Sequence, residues 1–316
     1  MTQKVAGVYF FGNKLSRFIA CIFDFYAPGN RWILDELYFS ENEKNSNSPV
    51  VFEEWIKTTE IADLIINVPM TSPICETCQL ICPGEEKCHH PVIKSIRHKI
   101  VNELDKDFKL EKSNPKAYER YRDNMSKYSS DHKFFNRGNS DPLSKSLKKK
   151  LRKGFTPYWS RPIDLYIWLN YYDELIQIFN YSYDSFGQTS LMNLKRFSYL
   201  KRHLKGINVW ESSIHINFLE MLKSDILLPE DLIGMKYVDE FSVSNRKKIV
   251  SKLETSLNIF IKMEDTAIFT FDPKAINALN LGLCAIRNAM SEKHQLPDWC
   301  QGNHPNFIIP NFSLDG

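Results

Sequence analysis

The spacing of the first apolar segments constrains this chain most. Residues 5–12, 18–25 and 32–39 are each rich in β-branched or aromatic residues, and Gly, Asn or Pro marks each break. Parallel neighbours need a crossover of a dozen or more residues, which these breaks are too short to supply. The three segments therefore predict an antiparallel meander.

Downstream the pattern changes. Residues 50–62, VVFEEWIKTTEIA, space Val51, Trp55, Ile56 and Thr59 along one face of a short helix. The run DLIINVP that follows suits a strand buried on both faces. The stretch 103–153 is polar and charged with few aliphatic residues, and reads as an insertion or loose helical hairpin rather than core. A helix opens near Pro162 in RPIDLYIWLNYYDELIQIF. An amphipathic helix with a basic face (TSLMNLKRFSYLKRHL), a short strand (GINVWES) and helices in SIHINFLEMLKS and NRKKIVSKLETSLNIFI come next. FDPKAINALNLGLCAIRNAM is a long helix with Asp272 as N-cap and Pro273 at its first position. Prolines confine PNFIIPNF to a sheet edge. Strands followed by alternating helices and strands specify an α/β layout whose later strands join through helical crossovers. At 43% hydrophobic over 316 residues, there is ample material for its core.

Four of the seven cysteines, Cys75, Cys78, Cys82 and Cys88, cluster in PICETCQLICPGEEKCHHP with the spacing C-x2-C-x3-C-x5-C, and His89 and His90 follow at once. Thiolates this close hold a metal or, in an oxidising compartment, form disulfides. The N-terminus carries no signal-peptide pattern, and no apolar run approaches transmembrane length. A cytoplasmic protein with no membrane partner is therefore expected, and reduced thiols there favour metal. Zn²⁺ held by four cysteines, or by three and one histidine, fits as a structural ion pinning a polar loop. A loop without metal is the next reading, and a 4Fe–4S cluster the one after it. Cys21, Cys284 and Cys300 read as small buried hydrophobes.

The net charge of +3 says little about partners, but the basic residues are clustered. Lys148, Lys149, Lys150 and Arg152 precede Tyr158 and Trp159, and Arg196, Lys201 and Arg202 surround Tyr199. Cations interleaved with aromatics suit nucleic-acid phosphates and bases; solvated helix faces produce the same runs. Arg161 and Asp164, three apart at a helix start, fit an ion pair, or a phosphate contact by Arg161. His215 reads as packed or surface histidine.

Several stretches, taken in order, resemble one family. VAGVYFFGN, LIINVPMTSPICETCQLICPGEEKC, FTPYWSRPIDLYIW, VWESSIHINFLEML, AINALNLGLCAIRNAM and GNHPNFIIP look like landmarks of the predicted RNase H-like nucleases classed as domain of unknown function 429. The resemblance covers nearly the whole chain outside the polar stretch. It implies a ribonuclease H-like fold: a three-strand antiparallel meander plus parallel strands with flanking helices. It further implies a single domain over 1–316, with a cysteine-rich loop at 70–92 and a polar, basic insertion at 103–153. In such a fold carboxylates on the first strand, a middle strand and the last helix hold two Mg²⁺ or Mn²⁺ ions for phosphodiester hydrolysis.

This chain departs from that pattern. Tyr9 stands where the resemblance implies a first-strand aspartate, Asn67 where one follows LII, and Asn277 where one precedes AL on the last helix. Of the implied carboxylates only Glu211 remains. Asp24, Asp35 and Asp272 would rescue such a site if the fold brought them near, but Asp24 and Asp35 read better as strand-end surface charges and Asp272 as a helix cap. The expectation is a catalytically degenerate nuclease homologue, a pseudoenzyme that binds nucleic acid or a protein partner. The alternatives are an active divalent-metal nuclease rearranged around Glu211, and a zinc-stabilised interaction module.

Overall fold

The computed structural model describes residues 4–12, 17–42, 50–125, 142–153, 155–181, 188–204, 206–301 and 306–313. The chain forms two compact units: Met1–Met70 with Gln188–Gln295 and Asn306–Gly316, and Thr71–Gly187 with Leu296–Pro305.

The first unit is built on strands β1 (Lys4–Phe10), β2 (Phe18–Tyr26), β3 (Arg31–Phe39), β4 (Ile61–Ile66), β5 (Asn208–Glu211) and β6 (Ile259–Phe260). Its helices are α1 (Val50–Thr58), α7 (Gln188–Leu200), α8 (Ile214–Lys223), α9 (Glu240–Leu257), α10 (Met263–Phe271) and α11 (Pro273–Ala289). The six strands form one mixed sheet in the order β5-β4-β1-β2-β3-β6. The meander is as expected, with β1–β2 and β2–β3 antiparallel, while β4 runs parallel to β1 and β5 parallel to β4. The second unit holds α2 (Ile74–Thr77), α3 (Pro91–Ser113), α4 (Pro115–Met125), α5 (Lys145–Lys153), α6 (Pro162–Phe179) and α12 (Asp298–Gln301).

Alternation along β1 sorts the core of the first unit. Ala6, Val8 and Phe10 join Phe18, Phe52, Trp55 and Phe197 in one buried cluster. The Phe10 and Phe18 rings each lie 5.2 Å from Phe52, within the range of favourable aromatic pairs. Gly7 and Tyr9 point to the other face, which α11 covers. There the helix backbone comes so close that a Cβ on Gly7 would fall inside the Gly282 amide nitrogen. Gly7 is thus required by close approach, not by an unusual φ.

Helices α2, α10 and α12 are not marked by the sequence pattern, and two further departures concern β6 and the polar stretch. Helix α9 stops at Asn258, which adopts φ 49° and frees Ile259–Phe260 to pair with Trp32 and Ile33 as β6. The polar stretch also supplies core residues: Leu143, Leu147 and Leu151 are buried with Ile96, Leu165 and Trp168 in the second unit. Lysines between those leucines mask the apolar stripe in the composition, and residues 126–141 of the stretch lie outside the described set. Among the described residues no helix is long and apolar enough to cross a membrane.

Candidate functional site

Strand register brings the predicted site positions of the first unit to one end of the sheet. Val8 pairs with Ile66, and Ile66 with Glu211, so the three parallel strands β1, β4 and β5 end side by side. Tyr9, Asn67 and Glu211 all lie at that end, and α11 adds Asn277, whose side chain is hydrogen-bonded to Tyr9. The four positions chosen from sequence therefore converge as pairs and strand ends.

Their chemistry differs from that of a metal site. The Asn67 amide is spent on the main chain of Phe10: Oδ1 accepts from its N–H at 2.8 Å and Nδ2 donates to its carbonyl at 2.9 Å. Burial raises the Tyr9 phenol above its usual range; the Asn277 hydrogen bond opposes this and the Asp272 carboxylate adds to it. Tyr9 is a neutral hydroxyl at ordinary pH. Glu211 is buried, and its Oε2 accepts from the Met70 N–H at 2.8 Å. Asp272 is the N-cap foreseen from sequence, accepting from Lys274 N at 2.7 Å. The Lys274 ammonium lies 4.3 Å from the centre of the Phe11 ring, which stacks in turn on Tyr9 at 6.0 Å. The strand ends thus combine one buried carboxylate with amides, a phenol, aromatic faces and a cation.

Sequence reasoning passed over the layer behind these residues. Ser212 Oγ lies within hydrogen-bonding distance of Asn217 Oδ1 (2.9 Å) and the Ile308 carbonyl (3.0 Å), which share its single proton, and Asn217 Nδ2 donates to Asn280 Oδ1 (2.9 Å). All three side chains are buried. One signal was present: Asn280 follows Asn277 by three residues, which places both on one side of a helix.

The basic candidates separate into several environments. Lys148, with a side chain only 13% exposed, reaches Asp107 Oδ2 at 2.7 Å and Glu111 Oε2 at 3.0 Å. Burial works against its ammonium, but those two partners overcome it and lift Lys148 to about 12. Asp107 also accepts from Tyr118 Oη (2.9 Å) and from Leu143 N (2.7 Å), so it ties α3, α4 and α5 together. Arg161 is fully buried; its guanidinium pairs with Asp164 at 3.2 Å and reaches the Thr71 carbonyl at 3.4 Å. Lys148 and Arg161 therefore serve internal carboxylates, and their burial keeps them from a nucleic-acid backbone. Lys150 lies over the Trp168 ring at 4.8 Å. Lys149 and Arg152 are exposed, and with Lys145 they make a cationic stripe along α5. In the first unit Lys201 and Arg202 are exposed, Arg202 5.8 Å from the Tyr199 ring. The Arg196 side chain lies outside the described residues.

In the cysteine loop Cys78 and Cys82 are exposed and Cys75 and Cys88 half-buried. Burial pushes the Cys75 thiol up, and Cys88, Cys82, Cys78 and Glu85 all act on it in the same direction. The four thiols thus share one neighbourhood. Among the described residues, however, no three His, Cys, Asp or Glu side chains stand close enough to hold a metal ion as placed. His90 instead caps α3, its Nδ1 accepting from Val92 N at 3.3 Å. Cys21, Cys284 and Cys300 are buried as expected.

No family model, curated protein or solved structure matches this chain.

Proposed function

We propose that this protein is a ribonuclease H-like nuclease homologue, related to the domain of unknown function 429 family, that binds nucleic acid without cutting it. The sheet order and strand directions from β3 to β5 support the fold. One observation carries the function: the strand ends that would need three further carboxylates offer Tyr9, a clasped Asn67, Asn277 and the Lys274 cation.

Magnitudes favour binding over hydrolysis. Opposite unit charges at ~4 Å gain about 4 kcal/mol at an effective dielectric of about 20, so three missing carboxylates remove most of the attraction for a second Mg²⁺. Hard divalent ions want anionic oxygens, and a neutral amide already holding a backbone is a poor substitute. The Tyr9 and Phe11 rings, with Lys274 beside them, suit a base face and a phosphate instead. In the same unit Lys201 and Arg202 supply further phosphate contacts without base specificity; in the other unit Lys145, Lys149 and Arg152 on α5 form a separate cationic stripe suited to the same kind of contact.

The test pairs two measurements on the full chain. Affinity for single-stranded, duplex, hybrid and branched oligonucleotides is expected to fall linearly with log salt concentration. The same panel in Mg²⁺ or Mn²⁺ is expected to stay intact. Cleavage that Glu211→Gln abolishes would establish the active-nuclease alternative. Affinity with no salt dependence would replace nucleic acid with a protein partner.

A further inference from the structure

The loop between α2 and α3 contains little that would hold an irregular chain in place. Leu80 and Ile81 at its tip are 72% and 98% exposed, so apolar burial contributes almost nothing there. Polar contacts hold its two ends. Cys75 lies on α2 and Cys78 caps it, with Cys78 N donating to the Ile74 carbonyl at 3.0 Å. Two thiols three residues apart on one helical turn share a side. At the other end Gly84, at φ 88°, reverses the chain, and Cys88 N donates to the Glu85 carbonyl at 3.2 Å. Arg97 reaches back from α3 and donates to the carbonyls of Glu85 (2.8 Å), Glu86 and Cys88 (2.9 Å). Between these ends the Cys82 sulfur lies 3.9 Å from the Tyr158 hydroxyl.

We propose that Cys75, Cys78, Cys82 and Cys88 bind one Zn²⁺ as a tetrathiolate centre, with Arg97 and Tyr158 as its supporting groups. The ion does for the loop what a hydrophobic core cannot. It draws four neighbouring thiols into one tetrahedron and fixes the exposed Leu80–Ile81 tip. On binding, four S–H bonds break, four Zn–S bonds form and four protons leave, so the centre carries two negative charges. The Tyr158 hydroxyl is placed to donate to the Cys82 thiolate, the kind of outer contact that orients a metal ligand. Four soft sulfur ligands select Zn²⁺ over the hard ions that a nuclease uses. The site is independent of any nucleic-acid binding.

Elemental analysis of the full chain, purified without chelator or polyhistidine tag, tests this directly. One zinc per chain is expected, released on titration with a mercurial. Co²⁺ exchange should give the intense visible absorption of a tetrahedral cobalt thiolate. Cys78→Ser and Cys88→Ser should lose the metal, and Cys300→Ser should keep it. Because a serine variant can misfold, the wild-type chain supplies a second readout: Zn²⁺ should protect these four thiols, and no others, from alkylation. Iron with acid-labile sulfide, or equal alkylation with and without Zn²⁺, would overturn the assignment.

Discussion

The side-chain amide of Asn67 clasps the main chain of Phe10 from both sides, accepting from its N–H and donating to its carbonyl across 57 residues of sequence. It continues the contact between β1 and the end of β4 past their last paired residues, Val8 and Ile66. An aspartate could accept from the same N–H, but its second oxygen would face the Phe10 carbonyl. An amide here is therefore a structural fastener as well as the loss of a charge.

Asn67→Asp should consequently destabilise the protein rather than rebuild a metal site. The lost donor and the unsatisfied carbonyl cost about 1–3 kcal/mol. Urea unfolding at neutral pH measures it, with no gain of cleavage in Mg²⁺. A midpoint equal to wild type would show that the clasp contributes nothing.

Gly7→Ala should be among the most damaging single changes. Its new Cβ meets helix backbone at Gly282 and Leu281, which cannot rotate away. A cost of about 3 kcal/mol or more is expected, at or above the upper end of overpacking effects. Gly282→Ala meets the Phe23 ring at 2.6 Å and should cost less, because a side chain can shift where backbone cannot. Soluble yield and thermal midpoints should rank Gly7→Ala below Gly282→Ala.

Neighbouring lysines on α5 should behave oppositely. Lys148→Ala leaves Asp107, 1% exposed at its side chain, without its closest cation. A loss of roughly 3 kcal/mol follows from breaking a buried pair on one side. Lys149→Ala and Arg152→Ala should change stability by less than about 0.5 kcal/mol. Each should weaken oligonucleotide binding across sequences and reduce the salt slope by about 1. Equal effects of Lys148→Ala and Lys149→Ala on unfolding would contradict the assignment of Lys148 to an internal clamp.

His215 should make the protein acid-sensitive. Desolvation holds its imidazole down to about 4 in the folded chain, against an unfolded value of 6.5. Between those values the unfolded chain binds a proton that the native one does not, so stability falls as pH drops from about 6.5 towards 4 and levels off below. The loss from this group is at most about 3 kcal/mol. Urea midpoints measured across that range should fall less steeply for His215→Gln than for wild type.

Legibility followed the range of the interaction. The N-terminal meander, the helix opening at Pro162 and the Asp272 cap rest on neighbours within a few residues, and each stands where the pattern puts it. The same holds for the spacing of Cys75, Cys78, Cys82 and Cys88. The convergence of Tyr9, Asn67, Asn277 and Glu211 was suggested by resemblance, and strand register is what brings them to one end of the sheet. The core role of Leu143, Leu147 and Leu151 was hidden, because lysines between them made the stretch read as surface.

The sequence by itself determined the α/β alternation, the antiparallel meander, the helix starts at Pro162 and Pro273 and the clustering of thiols, because periodicity, turn residues and caps act locally. Only the tertiary structure decided which polar groups are spent. It turned Asn67 onto Phe10 and Lys148 onto Asp107, and it pressed Gly7 against α11. Each outcome depends on what another part of the chain brings within hydrogen-bonding or van der Waals distance. No local pattern encodes that partner.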